Sequence, residues 1–456
     1  MMLDYSFFLF LLFFSFTQPC NGLVLGLTHY KDSHEPMARP LRPFSTTDLS
    51  EPVRGYRDGY LFSLSLGTPP QLMQVYMDTG SDLTWVPCGN LSFECINCKD
   101  NRGDRVMGSF SPSLSSSCSR DVCDSHFCVT IHSSDDSYDP CAMTGCFLGS
   151  ILRGMCSRPC PPFTYTYGDG IVLGTLTRDT LMVHGSDQSV TKDVPDFCFG
   201  CVASTYMEPI GIVGFGKGAL SLPSQLGFLH KGFSHCFLSF KFSNKPNIST
   251  PLIIGDSAIA SREEVQFTPM LKCPMYPSFY YVGLEAIFIG GEILEVPQIL
   301  REINSQGNGG MLVDSGTTYT HLPQALFTKF LSVMGSKITH PRSVEHERKT
   351  GFGLCYQVPT AVTESLPSLS FRFVNNVTLT LPEENYFYAM APSNGTYIVK
   401  CLLVQGMEDD SYGPAGVLGS FQQQNVEVVY DLSDERIGFH ARDCALLAIS
   451  HGLYKK

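Results

Sequence analysis

The sequence predicts an all-β body with a few small helices, built as two lobes that echo each other. Three observations carry that expectation. From Gly59 onward, short β-branched and aromatic runs alternate with Gly, Pro, Asn and Asp turns, as in YLFSLSLG, LMQVYMDTG, FYYVGLEAIFIGG and VEVVYDL. The 456 residues are enough for two cores, since single cores stop growing near ~250–300 residues. One pattern also recurs, a strand ending in Asp-Thr/Ser-Gly and followed later by apolar-apolar-Gly. It occurs at Asp78-Thr79-Gly80-Ser81 with GIVGFG at 211–216, and at Asp314-Ser315-Gly316-Thr317 with GVLGSF at 416–421. The two aspartates are 314 − 78 = 236 residues apart, one domain's length rather than a short repeat.

Composition narrows the function. The net charge is 31 − 43 = −12 with no long basic run, which gives no electrostatic footprint for nucleic acid. Charged residues make up 16% and hydrophobic ones 43%, against intrinsic disorder. Eighteen cysteines point to an oxidising compartment.

Taken in order, residues 1–20 read as a signal peptide. Their apolar stretch Phe7 to Phe16 is too short to span a bilayer, although the leading segment has Asp4 and no Lys or Arg. Residues 21–57 are Pro-rich without helical or strand periodicity, and read as a pro-segment or linker. Residues 58–270 form the first lobe. A stretch at about 88–160 interrupts it with ten cysteines in a Ser/Asp/Gly-rich setting, too poor in apolar periodicity to order itself without bridges. Zinc is the rival reading of Cys95-x-x-Cys98, but secretion and the lack of a clean second pair favour disulfides and no metal. A hairpin at about 163–180 carries Tyr167-Gly-Asp-Gly. Residues 271–456 form the second lobe, whose clearest helix is Leu322 to Met334, opened by Pro323. No stable membrane anchor is expected. Four sequons, at Asn90, Asn247, Asn376 and Asn394, agree with secretion. If Cys20 leaves with the leader, 18 − 1 = 17 cysteines remain, which predicts at least one free thiol or an intermolecular bond.

The paired aspartates carry the chemistry. One Asp-Thr/Ser-Gly alone is an ordinary turn. Two in matched contexts imply two carboxylates delivered from rigid strands, with Gly80 and Gly316 allowing a sharp turn and close approach. Where such carboxylates meet, they share one proton, because like charges a few Å apart do not both ionise cheaply. The charged one takes a proton from water, and the protonated one polarises a carbonyl. No cofactor is needed. Histidines in metal spacing, a GxSxG nucleophile and a phosphate-cradling Gly loop are all absent.

DTGSDLTWVPC, YTYGDG, VDSGTTYTHLP, GVLGSFQQQNVEVVYDL and RIGFH together resemble the pepsin-like aspartic proteases, and the cysteine-rich stretch and FQQQN run resemble their plant nepenthesin-like branch. The similarity covers roughly Gly59 to Cys444. It implies a bilobal pepsin-like fold of two β-barrel-like lobes with the active-site cleft between them. Asp78 and Asp314 would be the catalytic pair, sharing a proton as such dyads do. Thr79 and Ser315 would lock the loops together, and Ser81 and Thr317 would hydrogen-bond the outer carboxylate oxygens. Tyr167 would sit on a flap over the cleft, with the indole N–H of Trp85 reaching it. One bridge in the second lobe, Cys355–Cys401, would match the family. Ile171, where the branch usually has Ser, would make the flap more apolar. The resemblance implies a secreted, glycosylated, monomeric endopeptidase made as a zymogen. It would cleave polypeptide bound in the cleft, at acidic pH, in the apoplast or cell wall, with the vacuole as the alternative. The competing reading is a non-catalytic extracellular inhibitor or binding protein of the same fold.

Overall fold

The computed structural model describes residues 49–450, apart from 57–58, 90–92, 97–107, 134–138, 169, 185–190, 209, 243–248, 256–257, 260–263, 361–365, 394–395 and 409–411. The leader and the sequons at Asn90, Asn247 and Asn394 lie outside the described residues. Asn376 is exposed in a turn before the strand Val377–Leu381.

Strand Gln71–Asp78 shows how sequence becomes wall. Met73, Val75 and Met77 alternate into the core, as the two-residue period of a strand requires. It pairs antiparallel with Gly59–Leu66, from Leu61↔Tyr76 to Leu66↔Gln71. On its other side Gly211–Gly214 runs parallel to it, from Gly211↔Val75 to Gly214↔Asp78. The second lobe repeats this. Met311–Val313 runs parallel to Gly416–Leu418, so Asp314 leaves its strand as Asp78 does. The echo in the sequence is therefore an echo of hydrogen-bond register.

The lobes share a six-stranded antiparallel sheet. Its order is Leu49–Tyr56, Thr250–Ile254, Phe233–Cys236, Val426–Asp431, Arg436–Ala441 and Gln266–Leu271. The first of these strands corrects the sequence reading, which gave residues 21–57 no strand periodicity. The segment LSEPVRGY does not alternate, yet its backbone pairs with Thr250–Ile254 and, at its end, with Gly59–Leu66. It is an edge strand, where Pro52 is tolerated because one side of the backbone needs no partner.

Two smaller sheets complete the second lobe. One orders Glu292–Glu295, Leu284–Ile289, Leu369–Phe373 and Val377–Leu381; the other orders Cys355–Pro359, Tyr397–Leu402 and Phe387–Ser393. Gly290 and Gly291, both at positive φ (53° and 81°), join the first pair in the two-residue turn that such a hairpin favours. The main helix spans Gln324–Ser336 and buries Leu326, Phe330 and Met334 on one face. The sequence started it two residues earlier; Leu322 and Pro323 belong instead to the short strand His321–Pro323.

The cysteine-rich insertion holds three short helices, His126–Ile131, Pro140–Met143 and Leu148–Ile151. Ser125 and Asp139 cap the first two by accepting from Cys128 N and Ala142 N. Bridges Cys123–Cys141, Cys128–Cys160 and Cys146–Cys156 staple it internally, while Cys88–Cys201 ties its start to the long strand Thr191–Tyr206. His132 is buried at the end of the first helix. Cys355–Cys401 forms, as does Cys236–Cys444. Free thiols among the described residues are Cys118, Cys198 and Cys273.

Candidate active site

The two aspartate loops meet at the centre of the molecule. Thr79 N donates to Ser315 Oγ at 3.0 Å, and Ser315 N to Thr79 Oγ1 at 2.9 Å. Each hydroxyl then donates onward, Thr79 Oγ1 to Val313 O and Ser315 Oγ to Met77 O. Both side chains thus cross into the opposite lobe, and every polar atom of the lock is satisfied.

The carboxylates are held in mirrored cradles. Gly80 N donates to Asp78 Oδ1 and Gly316 N to Asp314 Oδ1, both at 2.8 Å. Ser81 Oγ donates to Asp78 Oδ2 and Thr317 Oγ1 to Asp314 Oδ2, both at 2.5 Å. The glycines are required by proximity. A Cβ at position 80 would fall 2.5 Å from Asp314 Oδ1, and one at position 316 would strike Asp78 Oδ1. Both carboxylates are buried, at 6% and 2% exposure. Burial, reinforced by the charge of Asp314, pushes the Asp78 carboxyl well above the usual range, although bonds from Ser81 and Gly80 oppose the shift. A buried, coupled pair with one raised member can hold a proton on one oxygen while another accepts one, which is the requirement for general acid–base work.

The hairpin of Phe163–Thr166 and Ile171–His184 carries Tyr167. Tyr167 and Gly170 exchange backbone hydrogen bonds across its turn. Trp85 is fully buried and shares an apolar cluster with Tyr167, Leu83, Phe163, Ile212 and Leu220. The expected bond between Trp85 and Tyr167 is not closed, since both the indole nitrogen and the phenol oxygen are buried without a hydrogen-bond partner. The nearby indole only slightly offsets the effect of burial, Tyr165, Asp78 and Glu208, which drive the phenol's pKa well up. Tyr167 is therefore a neutral hydroxyl. Ile171 is exposed on the flap.

Several residues of the site were not singled out by sequence. Gln423 Nε2 donates to Asp314 O at 3.2 Å and to Leu418 O at 2.8 Å, fixing the second loop from behind. Gln422 Oε1 accepts from Thr320 N at 2.7 Å. Asp82 takes Gly218 N at 2.7 Å and anchors the first loop. His321 follows Asp314 by seven residues as Trp85 follows Asp78, and the register agrees, His321↔Val417 matching Trp85↔Ile212. Burial lowers its pKa. The FQQQN run was visible, but its roles appear only with the loops in place.

Two cysteine groups have metal-like proximity, Cys123 with Cys146 and Cys156, and Cys128 with His132 and Cys160. Every one of these cysteines is in a disulfide and offers no thiolate.

The fold and site define a pepsin-like class, two β lobes each offering an Asp-Thr/Ser-Gly loop to a shared centre. Residues 60–256 match the family model described as "Xylanase inhibitor N-terminal", and residues 279–441 match "Xylanase inhibitor C-terminal". A probable aspartyl protease of Arabidopsis thaliana is 38% identical, over 88% of this chain and 85% of that protein. Aspartic proteinase nepenthesin-2 of Nepenthes gracilis is 30% identical, over 88% and 81%. Among solved structures, basic 7S globulin from soybean superimposes with a TM-score of 0.62 at 20% identity, covering 88% of this chain and 98% of that one. Conglutin gamma from lupine seeds gives 0.62 at 19% identity, covering 88% and 96%. The chain belongs to the pepsin-like aspartic proteases, in their plant nepenthesin-like branch.

Proposed function

We propose that this chain is an aspartic endopeptidase. Asp78 and Asp314 share one proton. The ionised carboxylate removes a proton from a water held between them, and the protonated one donates a hydrogen bond to the scissile carbonyl. The water oxygen adds to the carbonyl carbon to give a gem-diol, and proton return to the leaving nitrogen breaks the C–N bond. An extended polypeptide lies in the interlobe cleft under Tyr167, paired through its backbone as a strand would be. The observation that carries this reading is the mirrored cradle, in which each carboxylate accepts a glycine N–H and a hydroxyl.

The rest of the reading follows from sequence. Residues 1–20 are a signal peptide, residues 21–57 a pro-segment keeping the precursor latent, and the mature monomer a glycoprotein of the apoplast, cell wall or vacuole. No helix among the described residues is long and apolar enough to cross a membrane. A second reading draws support from the family models, whose descriptions name xylanase inhibitors. It makes the chain a non-catalytic binding protein.

The test incubates the purified mature chain with a denatured protein at pH ~3–5, with and without pepstatin, beside Asp78→Ala. Pepstatin-sensitive cleavage by wild type alone supports the protease. Equal cleavage by both proteins, or none by either, sinks it and leaves the binding protein.

A further inference from the structure

A cavity of about 460 Å³ lies where the two halves of the chain meet, lined by neither an aspartate loop nor the flap. That volume is within the ~300–1,000 Å³ usual for small-molecule sites. Leu229, Met270 and Leu432 give it apolar walls. They come from three places, the segment after the first lobe's Gly216-Lys217-Gly218 turn, the end of strand Gln266–Leu271, and the hairpin turn after Val426–Asp431.

Of the two lysines lining this space, Lys272 is in an ion pair and Lys217 is not. Lys217 is half-buried and lines the cavity. Its ammonium lies 5.6 Å from the centre of the Tyr280 ring, and no carboxylate among the described residues is within ion-pair distance. The rim carboxylate, Glu435, is instead paired with Lys272 at 2.7 Å. Asp82, behind the Lys217 turn, is engaged by Gly218 N. Burial lowers the pKa of Lys217, and the charges of Glu435 and Asp82, neither in contact with it, only partly offset that.

We propose that this interlobe cavity binds an amphipathic monoanion, with its acidic headgroup on Lys217 and its apolar body against Leu229, Met270 and Leu432. The inner cation selects negative charge, and Lys272 and Glu435, paired with each other at the rim, leave Lys217 as the lysine to meet a single headgroup. The apolar walls select a hydrocarbon or aromatic body over a bare inorganic anion. A bound ligand touches both halves of the chain and so holds them together. It also sits on the turn that anchors Asp82, four residues beyond Asp78 in the first catalytic loop.

The test titrates the full mature chain with 1-octanesulfonate, which keeps its charge in acid, and follows calorimetric heat and Tm. Octanol and octyltrimethylammonium serve as the uncharged and oppositely charged probes. Saturable binding with a raised Tm is expected for the sulfonate, roughly ten-fold or more tighter than for octanol, the value of one charge-assisted hydrogen bond. Lys217→Met should reduce sulfonate binding to the octanol level, and Lys217→Arg should retain it. Leu432→Glu, which keeps Lys217 intact, should weaken the sulfonate by a similar factor and provides the check if Lys217→Met does not fold. The proposal is overturned if the sulfonate does not saturate, if octanol binds equally well, or if either Lys217→Met or Leu432→Glu leaves sulfonate affinity unchanged.

Discussion

Asp78 and Asp314 are each bounded by the other lobe's glycine, so a single methyl group is enough to displace a carboxylate. Gly316→Ala should lower kcat/KM by about 10²-fold or more, the usual cost of ~1 Å misplacement, while circular dichroism stays native. A variant that kept full activity would show that the loops tolerate a wider gap than Gly316 permits. The raised pKa of Asp78 has a second consequence, for stability. The folded state holds a proton that the unfolded chain releases, so that stabilisation is complete below the unfolded carboxylate value of ~3.9 and is lost as pH rises through the folded value. Asp78→Asn should therefore flatten the fall of Tm between about pH 4 and neutrality, a slope that differential scanning calorimetry reads directly. These residues were legible because the tripeptide recurs with matched downstream glycines. His321 and Gln423 were not, because each stands in a polar stretch, Thr320-His321 and Gln422-Gln423-Gln424, whose burial no strand periodicity announces. His321 stands out only when the lobes are aligned by hydrogen-bond register, which gives it the place in the second lobe that Trp85 has in the first.

Elements differ in how openly the sequence declares them. The flap hairpin and the strands of the aspartate walls show in their alternation and turn residues. The insertion declared its need for bridges but not their partners, since spacing alone does not choose among pairings, and Cys88 reaches out of the insertion to Cys201. Cys355 and Cys401 lie directly opposite one another on paired strands. Replacing both with serine should cost about 2–4 kcal/mol by urea unfolding under non-reducing conditions. On the flap, the phenol oxygen of Tyr167 makes no hydrogen bond in this structure. Tyr167→Phe should therefore leave thermal stability nearly unchanged, while Tyr167→Ala should lower it by ~3 kcal/mol or more. A Tm lost equally in both variants would mean that the hydroxyl, not the ring, holds the flap.

At the scale of the whole molecule, the two lobes are joined by the Thr79–Ser315 lock at the site and by the six-stranded sheet. Thr79→Ala or Ser315→Ala should each cost ~1–3 kcal/mol by leaving buried partners unsatisfied. The two changes break different bonds, Thr79→Ala those of Oγ1 and Ser315→Ala those of Oγ, but they open the same contact, so the double variant should cost less than the sum. Additive losses in a thermal double-mutant cycle would mean that the two halves of the lock hold independently. The two-lobe plan was readable from the echo. The shared sheet was not, because its strands come from distant parts of the chain and one of them, Leu49–Tyr56, has no alternation to betray it. That strand gives processing a geometric stake. Its register runs from Leu49↔Ile254 to Val53↔Thr250. A cut between Tyr56 and Gly59 that let it go would leave the outer backbone of Thr250–Ile254 unpaired, a sticky margin on which a second chain could lay a strand. A cut ahead of Leu49 keeps the margin hemmed, so the choice between those positions decides whether the finished molecule stays solitary.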